Sequence, residues 1–356
     1  MTESLFIFGN GLGRSIDNDA YQLNTAMQAV WDKGDNGLSD MQKEIILKAL
    51  ALEGDDIGVG PQEESQIKTI QEVIFACELL QKIEDVRLPF ATDETRNTLA
   101  ALTKEARELP DALRTYVRQV ASQFVDTDNH LTGDFCTPLF DFVYDANNIA
   151  HIATTNYDEL LYTAYGQQEG RDDKYKLIDG FHNTVEKELV FDPVKSQENY
   201  INGRRRRGWY LHLHGSPLYV DNGSQVRKLR LSDFRVADYT CPGHIVLTHH
   251  AFKRRIIEES HILNAYWNIF CEKLFKSTNI ILFGMSGDDV HINKAIRDYA
   301  REDAIIRIVD WTGESDNERD KKEDLWKGKL GENRFKTENL ILLPNVQDFT
   351  DWALNS

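Results

Sequence analysis

Cysteine is scarce in this 356-residue chain, and its four copies lie far apart. Cys77, Cys136, Cys241 and Cys271 include no pair at the CxxC spacing of a zinc knuckle, and they are too few for a disulfide framework. The spacing therefore excludes a four-cysteine zinc module. Because sparse, unpaired cysteine is typical of a reducing compartment, we expect a cytoplasmic protein.

Long apolar runs are also missing. No apolar window reaches the roughly 18 residues that a membrane-spanning helix needs. The opening residues, MTESLFIFGNG, lack the basic segment that precedes the apolar core of a secretory signal. We therefore expect no membrane partner.

A surplus of positive charge is absent as well. The 58 acidic residues outnumber the 41 lysines and arginines, so the net charge at pH 7 is -17. Such a chain repels nucleic-acid phosphates, and we expect no direct nucleic-acid partner. The one basic run, Arg204–Arg207, favours either a solvated loop or a contact with a protein partner.

Short apolar stretches alternate with helical segments along most of the chain. This alternation is typical of an α/β fold, and it predicts a Rossmann-like, doubly wound parallel sheet. The polar stretch 167–208 shows no regular pattern. The predicted strands are Ser4–Phe8, Ile149–Ala153, Trp209–Leu213, His244–Thr248, Asn279–Phe283, Ile305–Val309 and Leu340–Leu343.

Residues 18–145 differ from the rest because they contain no convincing strand. Apolar side chains recur there at helical spacing, as in Ile67, Ile70 and Ile74. We interpret this range as a helical insertion or lid domain between the first two strands. The Rossmann domain then consists of residues 1–17 and 146–356.

Polar residues follow the second predicted strand at the point where a helix begins. Thr154, Thr155, Asn156 and Asp158 occupy this position. Ligands of open α/β sheets bind beyond the carboxyl ends of the strands, so Asn156 is a candidate functional residue. The alternative is that Thr155 or Asn156 only caps the next helix.

A glycine-rich turn follows the first strand. Gly9, Gly11 and Gly13 match the dinucleotide-binding fingerprint in part, because GxGxG is present and GxGxxG is not. Glycines there let the backbone approach a phosphate closely. A tight turn without a ligand explains them nearly as well.

Three further strand ends carry polar residues. His214 follows the third strand, and its H-x-H pairing with His212 offers two metal ligands, although His212 can equally be structural. Gly284–His291 is a second glycine-and-serine turn before a helix. Asp310 closes a later strand, where an acid can bond ribose hydroxyls or simply end the strand.

Together these elements resemble the sirtuin superfamily, and most closely its bacterial sirtuin-like branch of NAD-consuming anti-phage defence proteins. The matching motifs are the first glycine turn, T-x-N-x-D as Thr154–Asp158, L-H-G as Leu213–Gly215, and G-x-S-x-x-D as Gly284–Asp289. The resemblance covers roughly residues 4–17 and 148–345. The insertion carries no motif.

The resemblance implies an NAD+ glycohydrolase that depletes NAD+ in abortive-infection defence, with NAD+ as substrate and no metal. Asn156 and His214 would be catalytic, with His214 acting as general base or orienting the ribose. The implied NAD+-binding residues are Gly9, Asn10, Gly11, Leu12, Ser15, Asp17, Thr154, Thr155, Asp158, Gly284, Ser286, Asp289 and Asp310.

Two departures from the sirtuin pattern bear on the reaction. The four-cysteine zinc module is missing, and the first turn reads Gly9–Gly13 as GNGLG where deacylating sirtuins have GAG-x-S. Both argue against a protein deacylase. A deacylase or ADP-ribosyl transferase and a non-catalytic NAD+ or ADP-ribose sensor remain the alternatives. The resemblance also implies a homo-oligomer and a protein partner such as a HerA-type ATPase.

Overall fold

The computed structural model describes residues 2–33, 38–50, 60–61, 63–85, 92–125, 129–145, 147–166, 177–184, 188–201, 208–221, 225–230, 244–313 and 318–352. The run Arg204–Arg207 and Cys241 lie outside these residues. Within them, no helix combines the length and apolar character that crossing a membrane requires.

Six parallel strands form the central sheet, which confirms the predicted Rossmann-like α/β fold. They are β1 (Thr2–Phe8), β2 (Asn148–Thr154), β5 (Tyr210–His212), β8 (Asn279–Phe283), β9 (Ile305–Trp311) and β10 (Leu340–Leu343). Their order is β10-β9-β8-β1-β2-β5. Winding starts at β1 and reverses between β1 and β8, as in dinucleotide-binding Rossmann domains, where the ligand lies at this reversal.

Helices cover both faces of the sheet. The helices are α1 (Gly11–Arg14), α2 (Leu23–Asp32), α3 (Asp40–Leu50), α4 (Ile67–Asp85), α5 (Asp93–Ala106), α6 (Glu108–Gln123), α7 (Gly133–Tyr144), α8 (Leu160–Gly166), α9 (Pro193–Ile201), α10 (His250–Glu259), α11 (His261–Lys276), α12 (Val290–Tyr299) and α13 (Glu318–Leu330).

The central strand β1 shows why the sheet is buried on both sides. Leu5 and Ile7 point into the core that α11 and α12 cover. Phe6 and Phe8 point into the core that α7 covers. Successive side chains of a strand face opposite ways, so a continuous apolar run is what a doubly covered strand requires.

A second, smaller sheet was not predicted; two of its strands lie in the stretch 167–208, which shows no regular pattern, and two lie after β5. Its strands are β3 (Phe181–Asn183), β4 (Leu189–Phe191), β6 (Tyr219–Asp221) and β7 (Val226–Lys228), in the antiparallel order β3-β4-β7-β6. Strands of three residues carry too few side chains for alternation to stand out.

The described part of residues 18–145 contains helices and no strand. Helices α2, α3, α4 and α6 share a core of their own, which also takes in Tyr157, Leu160, Ile245 and Leu247. The helical unit is therefore anchored beside Asn156. Helix α7 packs against the central sheet instead, through Phe135 and Leu139.

The prediction of a strand at His244–Thr248 is wrong. The segment is buried and irregular, and belongs to no sheet. The Val246 N–H donates to the carbonyl of His214 at 2.9 Å, and the Val246 carbonyl accepts from the Tyr157 hydroxyl at 2.9 Å. Because the turn at His214 and the side chain of Tyr157 bond to the backbone of Val246, this apolar run does not pair with a neighbouring strand.

Gly284 provides a test of the fold at the reversal of winding. Its φ of 60° is left-handed, and an added Cβ would lie 2.9 Å from Gly11 Cα and Leu12 N. We expect Gly284→Ala to lower the free energy of unfolding, measured with urea, by at least about 1–2 kcal/mol, the cost of this conformation alone.

Gly328→Ala, within α13, is the matched control. Nothing lies within 4 Å of its Cβ position. Alanine is favoured over glycine inside a helix by about 0.5–1 kcal/mol, so this variant should gain stability. Unchanged stability of Gly284→Ala would contradict the close packing.

Candidate functional site

Two loops meet at the reversal of winding, in direct backbone contact. The Gly9 N–H donates to the Phe283 carbonyl at 2.9 Å, and the Gly11 N–H donates to the Gly284 carbonyl at 2.8 Å. A Cβ on Gly11 would lie 2.7 Å from Gly284 Cα. The glycines of two predicted motifs are thus explained by their packing on one another. In this conformation, the amides of Gly9 and Gly11 are already bonded.

Asn156 lies beside this contact and is 5% exposed. Its Nδ2 donates to the Gly9 carbonyl at 3.0 Å, and its backbone N–H donates to Thr154 Oγ1 at 3.0 Å. Within the described part of the chain, no group bonds to its buried Oδ1. Other buried polar atoms are also unpaired, but this one lies at the carboxyl edge of the sheet, where ligands of such folds bind, and is therefore a candidate contact point of a ligand.

The capping alternative for this stretch falls on a different residue. Helix α8 begins at Leu160, whose N–H donates to Asp158 Oδ1 at 3.1 Å. The Thr155 N–H donates to the Phe8 carbonyl at 3.0 Å and so continues the sheet. Burial raises the pKa of Asp158 to about 6, although bonds from Leu160 and Asn156 oppose this shift.

Glu159, which the sequence analysis did not single out, joins the two central motifs. The Ser216 hydroxyl donates to Glu159 Oε1 at 2.7 Å, and both side chains are buried. Burial raises the pKa of Glu159 to about 8, so this carboxyl is mostly protonated at neutral pH. The contact fixes the turn around His214 relative to the turn around Asn156.

His214 is buried and faces two polar side chains. Its Nε2 lies 3.0 Å from His291 Nε2 and 3.8 Å from Asp289 Oδ1. Burial lowers the pKa of His214 to about 3 and that of His291 to about 4. Both imidazoles are therefore neutral at physiological pH and carry a free nitrogen lone pair. Burial disfavours the protonated form of His214, whereas the charge of Asp289 favours it.

Asp289 connects His214 with the helical unit through a lysine. Lys253 Nζ lies 2.9 Å from Asp289 Oδ1 and 3.0 Å from Glu64 Oε2, and we call this set the Lys253 bridge. Burial raises the pKa of Asp289, but the positive charge of Lys253 outweighs this effect and holds the carboxyl ionised. Burial lowers the pKa of Lys253, and its two acidic partners more than restore it.

His212 lies apart from this group. Its ring contacts Tyr162, Tyr210 and Tyr219, and burial lowers its pKa to about 3. The H-x-H pair therefore does not converge on one point. Among the residues that the structure describes, the ligand atoms that converge belong to His214, Asp289 and His291, and all lie within 4.8 Å of one another.

Other predicted NAD+-binding side chains bond within the protein. Asn10 Nδ2 donates to the Tyr21 carbonyl at 2.7 Å, and the Ser15 hydroxyl donates to the Leu12 carbonyl at 2.6 Å. Asp310 pairs with Lys322 at 2.7 Å. Two further side chains accept hydrogen bonds within local turns. Asp17 Oδ1 accepts from the N–H groups of Asp19 and Ala20 at 3.0 Å, and the Ser286 hydroxyl accepts from the Asp288 N–H at 3.3 Å.

Sequence reasoning missed His291, Lys253, Glu64 and Glu159. His291 carried a usable signal, because it lies two residues after Asp289 in a turn already singled out. Glu64 and Lys253 carried none, since they lie far apart in the sequence and meet only through the packing of the helical unit.

The model of the SIR2-like domain family matches residues 150–330, half of the chain, and the matched span includes Asn156, His214 and Asp289. No curated protein matches the chain. With the Rossmann strand order and the motifs at its carboxyl edge, this match means that the chain belongs to the SIR2-like domain family.

Proposed function

We propose that this protein is an NAD+ glycohydrolase that cleaves NAD+ to nicotinamide and ADP-ribose. Members of the SIR2-like family are NAD-dependent enzymes, which supports NAD+ as the substrate. The observation that carries the proposal is the buried, unpaired Oδ1 of Asn156 at the carboxyl edge of the sheet. Such an oxygen can position water or a ribose hydroxyl.

The register of two neighbouring strands supports a joint role for Asn156 and His214. Strands β2 and β5 pair in parallel with Thr154 opposite His212. Asn156 and His214 each lie two residues beyond these positions, and the Leu213 N–H donates to the Thr154 carbonyl at 2.8 Å. Parallel pairing therefore brings both residues to one edge.

The proposed chemistry needs only these two groups. The bond between the ribose C1′ and the nicotinamide nitrogen breaks, and nicotinamide leaves as a neutral molecule. The oxygen of water bonds to C1′, where positive charge has developed. Asn156 orients the water or the ribose, and the neutral His214 accepts the proton that the water loses. The products are nicotinamide, ADP-ribose and one proton.

The cellular role follows from the resemblance to bacterial sirtuin-like defence proteins. We propose that the chain acts in the cytoplasm as a homo-oligomer, depletes NAD+ in anti-phage defence, and is controlled by a protein partner such as a HerA-type ATPase. The acidic balance of the chain favours a protein over nucleic acid as the direct activating contact.

We also propose that the helical unit gates the site. Asn156, His214, Thr155 and Asp158 are all buried, so a molecule as large as NAD+ requires an opening movement to reach them. The Lys253 bridge holds Glu64 of the helical unit to Asp289, next to His214. Lids of this kind commonly control turnover.

The catalytic assignment is tested by Asn156→Ala and His214→Ala. Each should lower nicotinamide release from NAD+ by at least about 100-fold, because a positioned proton acceptor contributes that much or more and misplacement of the attacking water costs about as much. The matched control is Asn148→Ala, at the opposite end of β2, where the Asn148 Nδ2 donates to the Phe142 carbonyl at 3.4 Å. The control should retain activity.

Thermal melting of each variant would show whether its fold persists. Near-normal turnover by a folded Asn156→Ala or His214→Ala protein would remove that residue from the mechanism. If NAD+ binds and no nicotinamide appears even when the gate is opened as below, the chain is an NAD+-sensing subunit and the hydrolase proposal is wrong.

Metal removal is the second test. We expect nicotinamide release to be unchanged after exhaustive chelation, because the proposed reaction uses only amide and imidazole groups. Metal content and activity should be measured on the same sample. Activity lost on chelation and restored by one added divalent cation would overturn a metal-free mechanism.

Opening the gate is the third test. Glu64→Ala removes one end of the Lys253 bridge and should raise basal nicotinamide release severalfold, because it loosens the helical unit beside the buried site. The matched control is Glu63→Ala, an exposed neighbouring acid, which should leave basal release unchanged. Equal basal release from Glu64→Ala and wild type would contradict the gate without affecting Asn156 and His214.

A further inference from the structure

We propose that His214, Asp289 and His291 form a binding site for a borderline transition-metal cation such as Zn²⁺, and that its occupation blocks NAD+ cleavage. The blocking part rests on the function proposed above. The metal-binding part stands on geometry alone and concerns inhibition, since the proposed reaction itself uses no metal.

The spacing of the three ligand atoms fits a single cation. The two imidazole Nε2 atoms are 3.0 Å apart, and His214 Nε2 is 3.8 Å from Asp289 Oδ1. Ligands about 2.0–2.2 Å from a tetrahedral zinc ion lie about 3.3–3.6 Å from one another. The two observed distances fall on either side of this range, and the third pair of ligand atoms lies within 4.8 Å, so side-chain rotations can bring all three onto one cation.

Of the two histidines, His214 has the second hydrogen bond that metal-binding histidines usually make, whereas His291 Nδ1 has no hydrogen-bond partner among the described residues. His214 bonds to the Thr155 backbone, which leaves its Nε2 facing the cluster. The ring of His291 stacks on Trp267, with planes 25° apart and centroids 5.6 Å apart.

The ligand types select the class of cation. Two imidazole nitrogens and one carboxylate suit zinc, cobalt or nickel, whereas calcium and magnesium prefer oxygen ligands alone. Three protein ligands leave a fourth position for water. Bound in this way, a cation takes the Nε2 lone pair of His214, which the proposed reaction needs as its proton acceptor.

Lys253 opposes the cation. Its ammonium lies 2.9 Å from Asp289 Oδ1 and therefore competes for the same carboxylate. Removal of this positive charge should tighten metal binding, whereas removal of any one of the three ligands should weaken it. This pair of opposite expectations separates the proposed site from unfolding, which can only weaken binding.

The experiment is a titration with Co²⁺, in the absence of NAD+, followed by its visible d–d absorption. Wild type should bind one Co²⁺ per chain with the intense band of a four-coordinate ion. His291→Ala and Asp289→Asn should weaken binding by at least about tenfold, the smallest loss typical of a perturbed metal site. Lys253→Met should tighten it by roughly tenfold or more, because a neighbouring like charge is removed.

The control is the double variant His249→Ala, His250→Ala. These two neighbouring rings have centroids 3.9 Å apart at the start of α10, and they are the alternative place for adventitious binding. The double variant should retain the band. Loss of the band in this variant, or the absence of a stoichiometric band in wild type, would overturn the site.

The inhibitory part is measured separately. Zn²⁺ should lower nicotinamide release by Glu64→Ala protein, and a chelator should restore it. Release should become more sensitive to Zn²⁺ when Lys253→Met is added. Stoichiometric binding without inhibition would overturn only the blocking part, and absence of any NAD+ cleavage would leave the spectroscopic result intact.

Discussion

The contact between the turns after β1 and β8 is the constraint on which the site depends. Gly11 and Gly284 approach so closely that neither has room for a side chain. This approach brings the turns after β1 and β8 into contact, and the Gly9 carbonyl then accepts a hydrogen bond from the side-chain amide of Asn156. Asn156 then has one amide atom fixed and the other, Oδ1, left for chemistry. The glycines thus contribute to the site by allowing the close backbone contact that positions Asn156.

A second constraint is electrostatic. Four ionisable side chains, Glu64, Lys253, Asp289 and His214, follow one another from the helical unit into the centre of the molecule. Buried charges are tolerated when each has a partner, and removal of one leaves its neighbour uncompensated. The position of the helical unit and the electrostatic surroundings of His214 are therefore coupled, as a regulated site requires.

Much of the fold could be predicted because strands buried on both faces appear as continuous apolar runs. Phe6 and Ile281 lie in such runs, and their strands were located to within two residues. The three-residue strands of the second sheet have no such signal. The segment His244–Thr248 is also a continuous apolar run, but it does not pair with a neighbouring strand. Asn156 could be found from its position after a strand, whereas Glu64 is brought to the site only by tertiary packing.

The central position of β1 also bears on biosynthesis. Strand β1 pairs with β2 on one side and with β8 on the other, with Ser4 opposite Asn279. Pairings between residues so distant in sequence form slowly, after the intervening chain has been made. On a ribosome, the turn after β1 therefore reaches its final position only after β8 has been made. On the function proposed above, the chain would thus be unable to cleave NAD+ until synthesis has passed β8.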